Sequence, residues 1–114
     1  MLDVEVSVPA PTGDDLVRML ATLSSPHRLR VIAALTGGRN YVSRLARELG
    51  ISRALLQVHL KKLEAAGLVS SQLELSEEGK AMKYYELRGF SVHLTPELIV
   101  DATRTLTTEK GSER

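Results

Sequence analysis

Apolar and polar positions recur with two different periods along this chain, and the changes of period divide it into elements. Residues 1–12 alternate singly, Leu2, Val4, Val6 and Val8 against Asp3, Glu5 and Ser7, until Pro9 and Pro11 stop the pattern. No partner strand lies nearby in sequence, so this stretch reads equally as a short strand or as an arm, flexible or partner-bound. From Gly13 to Leu23 the spacing becomes helical. Leu16, Met19, Leu20 and Leu23 share one stripe, and Asp14 and Asp15 sit in the first turn, where the helix dipole favours anions. Ser25 suits an N-cap and Pro26 a first helical position. They predict a second helix over Pro26–Leu35, with Leu29, Ile32, Ala33 and Leu35 inward, ended by Gly37-Gly38.

A short third helix is predicted over Val42–Leu49, with Asn40 or Tyr41 near its cap and Val42, Leu45, Ala46 and Leu49 inward. Gly50 closes it, Ile51 packs into the turn, and Ser52 caps a fourth helix over Arg53–Ala66 with Leu56, Leu60 and Leu63 inward. Two helices joined by a glycine turn make the helix-turn-helix pattern. After Gly67 the chain reads as extended over Leu68–Leu75 and again over Met82–Leu87, with Ser76-Glu77-Glu78-Gly79-Lys80 supplying turn chemistry between them. That is a hairpin, or wing, at about 69–87. Thr95 then caps a last helix with Pro96 first and Leu98, Ile99, Ala102 and Leu106 as its stripe. The expected fold is mainly α with a small β-hairpin, a winged helix-turn-helix in the order α-α-α-α-β-β-α. It occupies residues 13–108, between the 1–12 arm and a frayed 109–114 tail.

Composition narrows the function. A chain of 114 residues suits a single core, and with one Phe, three Tyr and no Trp that core must be aliphatic. No apolar run approaches the ~20 residues that span a bilayer, and the N-terminus lacks a signal-peptide pattern, so a cytoplasmic protein off the membrane is expected. Cysteine is absent, which removes disulfides and thiolate metal sites. Net charge is only +1, but its distribution is uneven. Residues 1–15 carry Asp3, Glu5, Asp14 and Asp15 without a Lys or Arg, while 39–62 carry Arg39, Arg44, Arg47, Arg53, Lys61 and Lys62 against Glu48 alone. Positive charge therefore gathers on the helix-turn-helix. No glycine-rich phosphate loop or nucleophile motif occurs, so an enzyme is not expected.

Three stretches carry a resemblance to the ArsR/SmtB family of dimeric regulators. They are LSSPHRLRVIAAL over 23–35, the segment 45–69 with its His59-Leu60 pair and Gly67-Leu68-Val69 exit, and GKAMKYYEL over 79–87. The resemblance spans about residues 14–107. It implies a homodimeric transcription regulator that reads a double-stranded DNA operator.

On the fourth helix, Arg53, Gln57 and Lys61 share a face, with Ala54 and Val58 beside it. Arg suits guanine and Gln adenine in the major groove, and Ala and Val suit a thymine methyl. Ser52 and the free amides at the helix start suit a phosphate. A solvated face is the bland alternative. Arg44, and less so Arg39 and Arg47, are candidate phosphate contacts, as are Lys80 and Lys83 in the wing, although Glu74, Glu77 and Glu78 lie near them in sequence. His59 matches the histidine that commonly precedes leucine in this family's recognition helix; it belongs either near the DNA backbone or in a helix–helix seam.

The first and last helices carry more apolar surface than a small core needs. This predicts an isologous dimer built on Leu16, Met19, Leu20 and Leu23 with Leu98, Ile99, Ala102 and Leu106. The family often senses metals through Cys, which is missing here, or through His and carboxylates on the last helix. His93, Glu97 and Asp101 recur four apart, but a capped, solvated helix end is the preferred reading, with His27 a surface residue and no cofactor. The rival function is a winged-helix module that docks an unknown protein partner without reading DNA.

Overall fold

The computed structural model describes residues 11–107. They fall into two compact units, one of Met19–Val92 and one that combines the residues up to Arg18 with those from His93 onward. The described elements are helices α1 (Gly13–Leu23), α2 (Pro26–Leu35), α3 (Val42–Leu49), α4 (Arg53–Ala65) and α5 (Pro96–Thr103), and strands β1 (Asn40–Tyr41), β2 (Val69–Leu75) and β3 (Ala81–Leu87). No described helix is long and apolar enough to cross a membrane. The expected 1–12 strand or arm and the 109–114 tail lie almost entirely outside the described residues.

In the larger unit, local chemistry sets each boundary. The Ser25 side chain accepts from the Arg28 amide and Pro26 opens α2. Gly50, at φ 70°, closes α3, and the Ile51 amide donates back to the Ala46 carbonyl, the bond that turns the chain toward α4. Ser52 then caps α4 by accepting from the Leu55 amide at 3.0 Å. Val31, Leu35, Leu45, Ala46, Leu56, Leu60, Leu63, Leu68, Val69 and Tyr85 form the core. Fully burying such side chains contributes roughly 1.5–3 kcal/mol each.

The sheet is antiparallel in the order β1-β3-β2. Val69 pairs with Leu87 at its base and Leu75 with Ala81 at its tip. Ser76 makes the tip turn, its hydroxyl accepting from the amides of Glu78 and Lys80. β1 was not expected from the sequence, because two residues carry no alternation and Asn is a poor strand former. It forms because Asn40 and Tyr41 lie opposite Tyr85 and Tyr84, with the rings of Tyr41 and Tyr84 edge to face. Tyr41, the N-cap of α3, makes no side-chain cap bond; the Asn40 side chain instead accepts from the Tyr41 amide.

The inward face of α2 differs from expectation. Val31 and Leu35 are buried, whereas Leu29 is 54% exposed and Ala33 is exposed too. Val31 and Leu35 are one turn apart, and choosing that pair rotates Leu29 and Ala33 outward. The other boundary differences, at α4, β2 and β3, are of one residue.

In the smaller unit, α5 starts on Thr95, whose hydroxyl accepts from the Leu98 amide at 3.0 Å. It ends at Thr103, so Leu106 lies beyond the helix rather than on its stripe. The hydroxyls of Thr103 and Thr105 bond back to the carbonyls of Val100 and Ala102, an alternative to helix that threonine offers readily. The start of α1 is pinned against this end. The Gly13 amide donates to Thr105 Oγ1 at 2.7 Å, and both the amide and the hydroxyl of Thr107 donate to the Asp14 carboxylate. Gly13 has no room for a side chain: a Cβ there would overlap the Ala102 carbonyl oxygen.

Candidate nucleic-acid interface

Burying Leu56, Leu60 and Leu63 on one side of α4 turns Arg53, Ala54, Gln57, Val58 and Lys61 into solvent on the other. Arg53 and Gln57 also form one wall of an open groove of about 510 Å³. Its other lining residues are Tyr41, Val42 and Ser43 at the start of α3, and Lys80, Ala81, Met82 and Lys83 on the wing. Four residues chosen from the sequence, Arg53, Gln57, Lys80 and Lys83, thus meet around one concavity. Tyr41 and Ser43 were missed. Only the β1 pairing, which draws the start of α3 to the hairpin, brings them there.

Charge is sorted by the sheet. Opposed residues of an antiparallel pair share a face, and neighbours along a strand alternate. Glu74 and Glu86 lie on one face of the hairpin with Tyr84, and Lys83 lies on the other with Leu73 and Tyr85. Glu74 is held by Arg39 in a two-pronged bond of 2.5 and 3.0 Å, with the guanidinium 4.3 Å from the Tyr84 ring centre. The Arg39 bond keeps the Glu74 carboxyl below its ordinary pKa, and the same bond raises that of Arg39. Glu74 therefore does not oppose Lys83, and Arg39 is committed elsewhere. Glu77 and Glu78 remain exposed in the tip turn. Among the described residues, Arg53, Lys61, Lys80 and Lys83 form no ion pair, whereas Arg44 pairs with Glu48 at 3.2 Å.

His59 stands apart from the exposed face. It is buried between α2 and α4, where its Nδ1 accepts from Arg28 Nε at 3.1 Å. The same guanidinium donates to the Thr22 carbonyl at 3.1 Å. An accepting Nδ1 leaves the proton on Nε2, which is buried without a partner among the described residues. Burial, then the nearby Arg28, His27 and Lys62, lowers the His59 pKa from its usual 6.5. His59 thus lies in the α2–α4 seam, one of its two expected placements. Ser52 is exposed, its oxygen engaged in the α4 cap.

Residues 23–72 match the family described as Helix-turn-helix domain. An uncharacterised HTH-type transcriptional regulator of Methanocaldococcus jannaschii is 36% identical over 85 residues, which cover 75% of this chain and 88% of that protein. The chain belongs to the HTH-type transcriptional regulators. It is also similar to the HTH-type transcriptional regulator CmtR of Mycobacterium tuberculosis, 35% identical over 69 residues, covering 60% of this chain and 55% of CmtR. Among solved structures, it resembles the homodimeric winged helix-turn-helix DNA-binding domain of a possible ArsR-family regulator from Mycobacterium bovis. That likeness has a TM-score of 0.59 at 26% identity, covering 67% of this chain and 66% of the other. Transcriptional regulators of this family are not enzymes.

The remaining expected residues of this regulator lie on α1 and α5. Leu16 and Ala102 are buried, and Leu98 is half-buried. Met19 and Leu23 pack against the core of the larger unit, so part of the α1 stripe is used within the chain. Leu20, Ile99 and Leu106 are exposed, as are Val17 and Val100. His93 is exposed ahead of α5, Glu97 lies in its first turn, and Asp101 pairs with Arg104 at 2.9 Å. Among the described residues, no three His, Asp or Glu side chains gather as metal ligands would.

Proposed function

We propose that this regulator binds double-stranded DNA in the cytoplasm as a homodimer, with α4 in the major groove and the wing beside it. The observation that carries the reading is the groove that joins Arg53 and Gln57 of α4 to Lys80 and Lys83 of the wing. A base-reading pair and two phosphate-reaching cations on one concave surface match the division of labour in DNA recognition. Ala54, Val58 and Lys61 extend the same face of α4, and Arg44, once parted from Glu48, adds a phosphate contact. The exposed apolar side chains Leu20, Ile99 and Leu106 on or beside α1 and α5 supply the dimer surface, in keeping with the homodimeric description of the M. bovis neighbour. Two copies double the bases read at one site.

The test is binding of Arg53→Ala, Gln57→Ala, Arg44→Ala and wild type to a duplex selected from a random library, to its single-base variants and to random DNA, over a salt series. The two α4 substitutions should each cost roughly 1–3 kcal/mol and relax preference at one base pair. Arg44→Ala should weaken all sequences alike and flatten the salt slope by about one. If Arg53→Ala and Gln57→Ala both bind and discriminate like wild type, α4 does not read bases, and docking of a protein partner becomes the better account. Sedimentation at micromolar concentration checks the dimer, and only monomer would refute it.

A further inference from the structure

Among the described residues, His59 is the one buried side chain that titrates near neutral pH. Its surroundings suit the neutral ring alone. The Arg28 guanidinium keeps its protons at any physiological pH, so Nδ1 accepts the 3.1 Å bond from Arg28 Nε only while it holds a lone pair. A proton on Nδ1 sets two donors against each other, and the bond parts. The groups that face the ring add to the conflict. From α2 come Arg28 and the half-buried His27, whose ring centre is 5.1 Å away, and from α4 comes Lys62. From α1 comes the Thr22 carbonyl, which already accepts from Arg28. No carboxylate among the described residues offsets these cations at the ring. Glu64 of α4 accepts from the Ser71 hydroxyl on β2, Glu48 of α3 pairs with Arg44, and Arg39 holds Glu74 of β2.

We infer that this seam is a proton switch on DNA binding: neutral His59 lets Arg28 hold α4 in its reading position, and uptake of one proton opens the bond and shifts α4 away from the wing. This rests on the DNA-binding reading above and adds acidity as the signal. The link to the groove is short. His59 lies two residues from Gln57 on the same helix, and Arg53 and Gln57 form the wall that faces Lys80 and Lys83. A tilt of α4 against α2 therefore displaces both candidate base readers from both wing cations at once. DNA selects the closed, neutral seam and protons select the open one, so by linkage binding releases a proton and weakens as the pH falls. Burial, then the neighbouring cations, holds the His59 pKa below 6.5 in the closed seam, and opening returns it toward that value, which places the effect below pH 6.5. The sign opposes ordinary behaviour, in which newly charged surface histidines such as His93 draw phosphates closer and tighten binding.

The experiment uses the full chain and a duplex selected by it from a random library at about pH 7.5, with affinity followed down to about pH 5.5 at constant ionic strength. His59→Phe keeps the ring and takes up no proton; His59→Asn keeps an acceptor close to the place of Nδ1 and does not titrate either. The readout is the ratio of wild-type to variant affinity, in which the exposed groups common to both cancel. That ratio should be level above pH 6.5 and fall below it by up to about tenfold per pH unit, the limit for one linked proton. Circular dichroism should show wild type still helical where the ratio falls. A second measurement needs no variant: the ring-proton resonance of His59, titrated with and without saturating duplex, should give a pKa lower by about one unit or more in the complex. A ratio level across the whole range, a fall that coincides with loss of helix, or a His59 pKa unmoved by DNA overturns the switch. If the switch fails but Arg53→Ala weakens binding at pH 7.5, the DNA-binding reading stands without it. If wild type binds no duplex at any pH, both fail.

Discussion

Replacing Arg28 by Ala tests whether one guanidinium fixes the recognition helix against the rest of the core. Arg28 ties α2 to α4 through His59 Nδ1 and to α1 through the Thr22 carbonyl, both at 3.1 Å. Hydrogen bonds from a charged donor contribute roughly 1.5–3 kcal/mol, and the half-exposure of Arg28 places each toward the lower end. Losing both bonds while leaving both ring nitrogens of the buried His59 unpartnered should cost about 2–4 kcal/mol. For a chain of this length that lowers Tm by about 10 °C. The partition between the two bonds follows from a double-mutant cycle with His59→Phe, which keeps the ring volume and removes the acceptor. In that background Arg28→Ala should cost only the Thr22 bond, about 1.5 kcal/mol, giving a coupling of roughly 0.5–2.5 kcal/mol. Chemical denaturation of the four proteins at pH 7.5 or above measures every term. An equal loss from Arg28→Ala in both backgrounds would show that the Arg28–His59 bond contributes nothing and that the seam is held by leucine packing alone.

The same histidine sets an acid response. Its pKa is lowered in the fold, so the unfolded chain takes up its proton first. The stability this group contributes is intact above pH 6.5 and falls as the pH drops from there through the folded value. Stability measured across that range should fall more steeply for wild type than for His59→Phe; parallel curves would refute the assignment. Gly13→Ala drives a Cβ into the Ala102 carbonyl and should destabilise the α1–α5 junction by about 1–3 kcal/mol, read by calorimetry together with the dimer dissociation constant. A variant as stable as wild type would mean that the approach relaxes freely. Chelation by EDTA should leave DNA binding unchanged, as the chain has no cysteine and His93, Glu97 and Asp101 are not gathered into one ligand set. Restoration of a lost activity by zinc or nickel would overturn that.

The helices were legible because their signals are local. Ser25-Pro26, Gly50, Ser52 and Thr95-Pro96 each act within a few residues of themselves, and the structure places all four helix starts or stops where those residues stand. The α4 face was legible for the same reason, since its leucines leave only one side for Arg53 and Gln57. What the sequence hid depends on partners far along the chain. β1 exists only through Tyr84 and Tyr85, more than forty positions later. The two-pronged Arg39–Glu74 bond spans 35 positions, and without it Glu74 reads as a wing acid repelling Lys83. The burial of His59 is set by Arg28 and the α2–α4 seam, and its place in α4 between Val58 and Leu60 cannot distinguish a groove residue from a seam residue. Leu29 failed differently: on a short helix two apolar stripes compete, and only packing chooses.

The separation of duties along α4 bears on how such a regulator diversifies. Arg53, Ala54, Gln57, Val58 and Lys61 contribute nothing to the buried core, and the helix they ride on is held by Leu56, Leu60, Leu63 and the Arg28 clasp. Exchanges on the outer face therefore leave stability within about 0.5 kcal/mol. On the proposed DNA-binding reading, a copy made by gene duplication would drift to a new target through these positions without first acquiring a compensating change in the core. The leucines and His59 cannot drift in this way, and descendants with divergent targets should share them while differing at 53, 54, 57, 58 and 61.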